Sequence, residues 1–115
     1  MRILFDHSAP YRLSGELKDH SVSTAAQRGW DRLTNGDLLA AAERAGFDLL
    51  LTADKNMRYQ QNLSGRRIAV IVLGNSPWPV VRLHVAAITR AVDAATIGSF
   101  FEVDIPLPPK QPFTR

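Results

Sequence analysis

Two aspartates in this chain follow apolar runs, where a carboxylate is costly unless something there uses it. Asp6 ends Ile3-Leu4-Phe5, and Asp54 closes the stretch Phe47-Asp48-Leu49-Leu50-Leu51-Thr52-Ala53. An acid beside a buried strand must be hydrogen-bonded, paired or at work. A third acid, Asp37, opens a helical segment, where it also favours the helix dipole without further duty. If the three converge within ~4 Å, each like-charge pair costs roughly 4 kcal/mol at an effective dielectric of ~20. Against about 5 to 15 kcal/mol of net domain stability that is a heavy burden. Protonation or a hard divalent cation relieves it. Oxygen donors and no cysteine favour Mg²⁺ or Mn²⁺ over zinc. Such an ion keeps waters and binds phosphate, so the chemistry suggested is phosphodiester hydrolysis by a metal-polarised water.

Around these acids stand groups suited to a phosphate: Lys55, Asn56 and Arg58 after Asp54, with Thr52 at the same strand end. The equally simple reading of the first three is exposed polar groups on a short helix. Glu43 lies six residues from Asp37, on a different helical face, and is read as solvated, as is the strand flank Arg66-Arg67. His7 is read as a hydrogen-bonded loop histidine, and His20 and His84 as structural. Trp30 and Tyr59 are candidates to stack on bases, though core packing is the commoner use of an aromatic.

The elements that must position these residues alternate. Arg2 to Phe5 reads as a strand, and Ser8-Ala9-Pro10 as a helix start with Ser8 as N-cap. Leu13 and Leu17 form its buried side. Ser21 to Thr24 is a weak second strand. Thr34 and Asp37 have capping-box spacing before a helix whose apolar stripe is Leu38, Leu39, Ala42 and Ala45, with Gly46 at the left-handed C-cap position. The run into Thr52 follows. Lys55 to Leu63 reads as a short helix, and Arg67 to Leu73 as a strand covered on both faces. A long helix from near Pro79 carries Val81, Val85, Ile88, Val92 and Ala95 on one side. Ser99 to Val103 is an edge strand. The expected architecture is α/β: three layers, α/β/α, with a mostly parallel central sheet of about five strands joined by right-handed crossovers. Ligands bind such sheets beyond the carboxyl ends of the strands. Bringing Asp37 there requires the 25–35 connection to carry the chain across that end.

The 115 residues suffice for one domain, read as residues 1–104, with a proline-rich tail over 105–115. Apolar content of 45 % and charged content of 22 % are ordinary for a globular protein. The absence of cysteine excludes disulfides and agrees with a reducing, cytoplasmic setting. No run approaches the ~20 apolar residues of a membrane span. A net charge of +3 permits a polyanionic partner without demanding one.

Ile3-Leu4-Phe5-Asp6 followed by Pro10 and Leu13, Gly36-Asp37-Leu38-Leu39 leading to Ala42, and Gly46 through Asn56 together resemble the PIN-like family, in particular its small stand-alone group related to VapC-type toxins. The resemblance covers about residues 1 to 75. It implies a PIN-type fold and a Mg²⁺- or Mn²⁺-dependent ribonuclease with Asp6, Asp37 and Asp54 as its carboxylates. It also implies RNA as substrate and a small antitoxin protein as partner, and leaves a homodimer open. The chain departs at His7, where members of this group often carry an acid. A PIN-like domain without catalysis, binding RNA or protein, is the alternative. A phosphoacceptor receiver needs an acid pair after the first strand and a lysine ending the fifth; Asp6-His7 and residues 99–103 supply neither.

Overall fold

The computed structural model describes residues 1–57 and 65–108. Five strands form one sheet: β1 (Arg2–Phe5), β2 (Ser21–Thr24), β3 (Leu49–Thr52), β4 (Ala69–Leu73) and β5 (Phe100–Val103), in the order β2-β1-β3-β4-β5. Every pair is parallel, with Ile3 opposite Leu49 and Leu49 opposite Ala69. Burial falls from the centre outward, as a parallel sheet covered on both faces requires. All of β3 and β4 is buried, whereas β2 and β5 are partly exposed edges.

Alternate side chains feed two cores. On one face Ile3, Phe5, Leu49, Leu51 and Ile71 pack against Leu13 and Leu17 and against Val81, Ile88 and Val92. On the other, Leu4, Leu50, Val70 and Val72 pack against Leu38, Leu39, Ala42, Phe47 and Met57. The first face is covered by a 3-10 helix at Tyr11–Glu16 and by α2 (Trp78–Val81) and α3 (Val85–Ala94), which a 3-10 turn at Arg82–His84 joins. The second is covered by α1 (Asn35–Arg44).

Sequence and structure differ at three of these elements. The first helix is a 3-10 helix that starts after Pro10, and Ser8 does not cap it. Pro10 supplies no N–H and Gly15 weakens helical propagation, so only a short, tight segment forms. The long helix expected from Pro79 is divided by the 3-10 turn, and its N-cap is Pro77. The crossovers are not all of one hand. The β1→β2 and β4→β5 connections lie on the same face but move in opposite directions across the sheet. They are therefore of opposite hand. The β2→β3 connection, on the other face and moving back past β1, shares the hand of β1→β2. The β4→β5 crossover thus differs in hand from both.

Helix α1 ends in a Schellman motif. Gly46, at φ +86°, donates to Glu43 O (3.1 Å), and Phe47 N–H donates to Ala42 O (3.0 Å). Glu43 is half-buried and not merely solvated: it accepts from Arg67 N–H (2.6 Å) and from Arg66 Nη1 (3.1 Å). The Arg67 N–H above all, helped by the Arg66 guanidinium, holds its carboxyl below the usual range. Helix α1 is thereby tied to the chain entering β4.

Beyond β5 the chain stays attached for two residues. Ile105, the first residue of the proline-rich segment, is buried in the first core, and Asn75 Nδ2 donates to its carbonyl (2.6 Å). Gly74 makes this possible, because a Cβ there would stand 2.8 Å from Ile105 N and 3.2 Å from Val103 O. Both are backbone atoms that cannot swing away. Gly74→Ala is expected to cost about 1–3 kcal/mol through overpacking, read as a lower denaturant midpoint. An unchanged midpoint would show that β5 shifts freely.

Candidate active site

The strand order puts the reversal of direction between β1 and β3. From β1 the chain moves outward to β2, then returns past β1 to β3. Loops leaving the carboxyl ends of β1 and β3 therefore diverge and leave a crevice, the usual ligand position in a doubly wound sheet. Asp6 begins one of these loops and Asp54 lies in the other.

Asp6 is 4 % exposed, and its carboxylate accepts four hydrogen bonds. Oδ1 takes Ser8 N–H (3.0 Å), Ser8 Oγ (2.6 Å) and Ala9 N–H (3.2 Å). Oδ2 takes the Thr52 hydroxyl. Each hydroxyl also accepts from the loop after β3: Ala53 N–H to Ser8 Oγ (2.8 Å) and Asp54 N–H to Thr52 Oγ1 (3.0 Å). Since both hydroxyl protons point to Asp6, the 3.2 Å approach of Ser8 Oγ to Thr52 Oγ1 has no proton between the oxygens. Two hydroxyls thus clasp the β1 and β3 loops around one carboxylate. No cationic side chain among the described residues forms an ion pair with it.

Asp54 is half-buried on the same network. Its Oδ1 accepts from Asn56 N–H (3.0 Å), and its Oδ2 from Asn35 Nδ2 (3.2 Å), the first residue of α1. Helix α1 accordingly begins at the carboxyl rim. No detour is needed: α1 runs antiparallel to β2 and β3, so it starts where β2 ends. The requirement set on the 25–35 connection falls away for that reason.

Asp37 does stand at this rim, in the first turn of α1, but outside the network. It is exposed and contacts Thr34 Oγ1 (3.4 Å). Among the described residues no group of three His, Cys, Asp or Glu side chains is placed to hold a metal ion. Thr52, read as a substrate contact, is fully buried and turns its hydroxyl to Asp6. That bond ties it to the carboxylate. Lys55 and Asn56 are exposed at the rim; Arg58 and Tyr59 lie outside the described residues. His7 is exposed and, contrary to expectation, makes no hydrogen bond among the described residues. His20 is structural, bonded through Nε2 to Asp93 (3.0 Å) far along the chain. Trp30 packs edge-on against Phe47 (centroids 6.1 Å apart).

Two residues of the site escaped the sequence reading. Ser8, two positions after Asp6, has the spacing of a side-chain-bridged turn as well as that of a helix cap. Asn35 was legible only as part of a helix start. A hollow of about 610 Å³ between α3 and β5 lies away from these groups. A smaller one of about 420 Å³ adjoins Asp6.

No family model, curated protein or solved structure matches the chain. Among the described residues no helix is long and apolar enough to cross a membrane.

Proposed function

We propose that the chain is a Mg²⁺- or Mn²⁺-dependent endoribonuclease of PIN-like type, a cytoplasmic toxin with a small antitoxin partner. The observation that supports the nuclease reading is Asp6: a buried carboxylate without a cationic partner among the described residues, at the reversal point of the sheet, clasped to the loop that bears Asp54. The antitoxin partner rests on the resemblance in the sequence alone.

The donor set fits a hydrated ion better than a cage. Asp6 Oδ1 is saturated by three donors, while Asp6 Oδ2 and both oxygens of Asp54 take one each, leaving acceptor capacity on two carboxylates. Mg²⁺ is commonly held by one or two carboxylates, its remaining positions going to water and phosphate. Asp6 and Asp54 would hold it, with Asp37 assisting from the helix start. When bound, such an ion supplies a polarised water and offsets charge on the scissile phosphate. The protein's own part is positional. Ser8 and Thr52 fix the Asp6 rotamer, Asn35 orients Asp54, and Lys55 and Asn56 offer exposed donors to the strand's phosphates.

Single-stranded RNA incubated with the chain and millimolar Mn²⁺ is expected to be cut internally, and a chelator to stop the reaction. RNA left whole under these conditions overturns the proposal. The alternative, a PIN-like domain without catalysis that binds RNA or protein, rests on His7, which stands where members of the resembled group often carry an acid. Binding of Mn²⁺ to the folded state alone raises the melting temperature. A melting temperature unmoved by Mn²⁺, together with intact RNA, selects the binding module.

A further inference from the structure

The hollow beside Asp6 has small residues in its lining: buried Ala9 and Ala25, with exposed Ala26 beside them, leave space where larger side chains would fill it. Around them stand groups whose polar capacity is unused. Tyr11, in its lining, is 61 % exposed. His7 has no hydrogen-bond partner among the described residues. Gln27 accepts Thr24 N–H (2.9 Å) with its Oε1, which leaves its Nε2 donors without a partner among the described residues. The site thus combines an aromatic face, neutral or weakly basic edge groups and an apolar floor.

Its charge disfavours a phosphate as occupant: the acid Asp6 is in its lining, and among the described residues neither lysine nor arginine lines it. A flat, neutral, hydrogen-bonding group suits it instead, and volumes of this order are those of small-molecule sites. Unstacked bases of single-stranded RNA are bound in this way, stacked on an aromatic ring and bonded along their edges.

We propose that this hollow binds one nucleobase of single-stranded RNA, stacked on Tyr11, beside the phosphate placed at the Asp6–Asp54 rim. The proposal deepens the ribonuclease reading and rests on it for the identity of the strand. The sugar–phosphate chain then runs from the hollow toward Lys55, and cleavage depends on a base next to the cut.

The test uses the full chain in chelating buffer, with a fluorescein-labelled ten-nucleotide RNA followed by anisotropy. Tyr11→Ala is expected to bind about tenfold more weakly, the order found for loss of one stacked base, and Tyr11→Phe to bind as the parent does. Ala26→Phe, at an exposed position that fills the hollow, should weaken binding to a similar degree. An abasic ribose-phosphate decamer should not distinguish Tyr11→Ala from the parent. Equal RNA affinity for parent and Tyr11→Ala, or no RNA binding by the parent, overturns the proposal. Cleavage in Mn²⁺ separates the two readings. Tyr11-dependent binding without any cleavage retains the base site and removes the nuclease; cleavage by Tyr11→Ala with unchanged KM does the reverse.

Discussion

Asp6→Ala is expected to lower the unfolding free energy by about 2–4 kcal/mol, and Asp6→Asn by about 1, the difference reflecting how many buried donors each leaves unmet. Alanine strips acceptors from Ser8 N–H, Ala9 N–H and the hydroxyls of Ser8 and Thr52. Ala9 keeps an alternative, the Asp6 carbonyl at 3.2 Å, and one of the two hydroxyls can turn its proton to the other, 3.2 Å away. The hydroxyls also brace Ala53 and Asp54, so the join between the β1 and β3 loops loosens with them. Removing the carboxylate relieves the cost of burying a charge, which is why the loss stays below the sum of four broken bonds. Asparagine retains an oxygen for the three donors on one side, and its amide nitrogen can donate to Thr52 Oγ1. Denaturant melts of both variants measure the difference. If alanine were as stable as asparagine, water would be replacing the carboxylate, and Asp6 would carry little of the structure.

The parts of the fold legible in the sequence are those dictated by local pattern. The runs in β1, β3 and β4 are apolar at consecutive positions, short and bounded by polar or turn residues, the pattern of a strand covered on both faces. Gly46 marked its own place because a left-handed residue must follow α1. What escaped was set by partners distant in sequence. The face chosen by α3, and with it the hand of β4→β5, depends on packing against Leu13 and Leu17 seventy residues earlier. Glu43 seemed idle until β4 brought the Arg67 N–H to it.

The candidate site divides along the same line. Asp6 and Asp54 stood out because a strand end is an awkward place for an acid, and both lie at the rim. For Asp37 the sequence sets only a condition, a connection that carries the chain across; its helix starts at this end by ordinary antiparallel packing, and its side chain stays outside the hydrogen-bonded group. Ser8 is ambiguous in the sequence because one hydroxyl satisfies two local patterns, a cap and a turn, and only the arrival of β3 decides between them.

Mn²⁺-dependent cleavage is expected to fall at least about 100-fold in Asp6→Asn and in Asp54→Asn, the order seen when a group that positions or ligates at a reacting centre is lost. Asp37→Asn should lose no more than about tenfold, because an exposed acid in a first helical turn acts on the site mainly through the helix dipole. Charge is what these variants remove: asparagine preserves shape and most hydrogen bonds, so their melts should stay close to the parent and the loss should appear in kcat. Thr52→Val supplies the decisive comparison. It removes the hydroxyl that donates to Asp6 Oδ2 and accepts from Asp54 N–H, without touching either carboxylate. If the two loops act as one unit, Thr52→Val alone weakens cleavage, and adding it to Asp6→Asn costs little more, since residues acting together are strongly non-additive. Full additivity would mean that Asp6 and Thr52 contribute separately, and that the clasp between β1 and β3 serves the fold without serving the reaction. Cleavage by Asp6→Asn at the parent's rate would be more damaging still, because no other buried acid among the described residues stands at this rim to take its place.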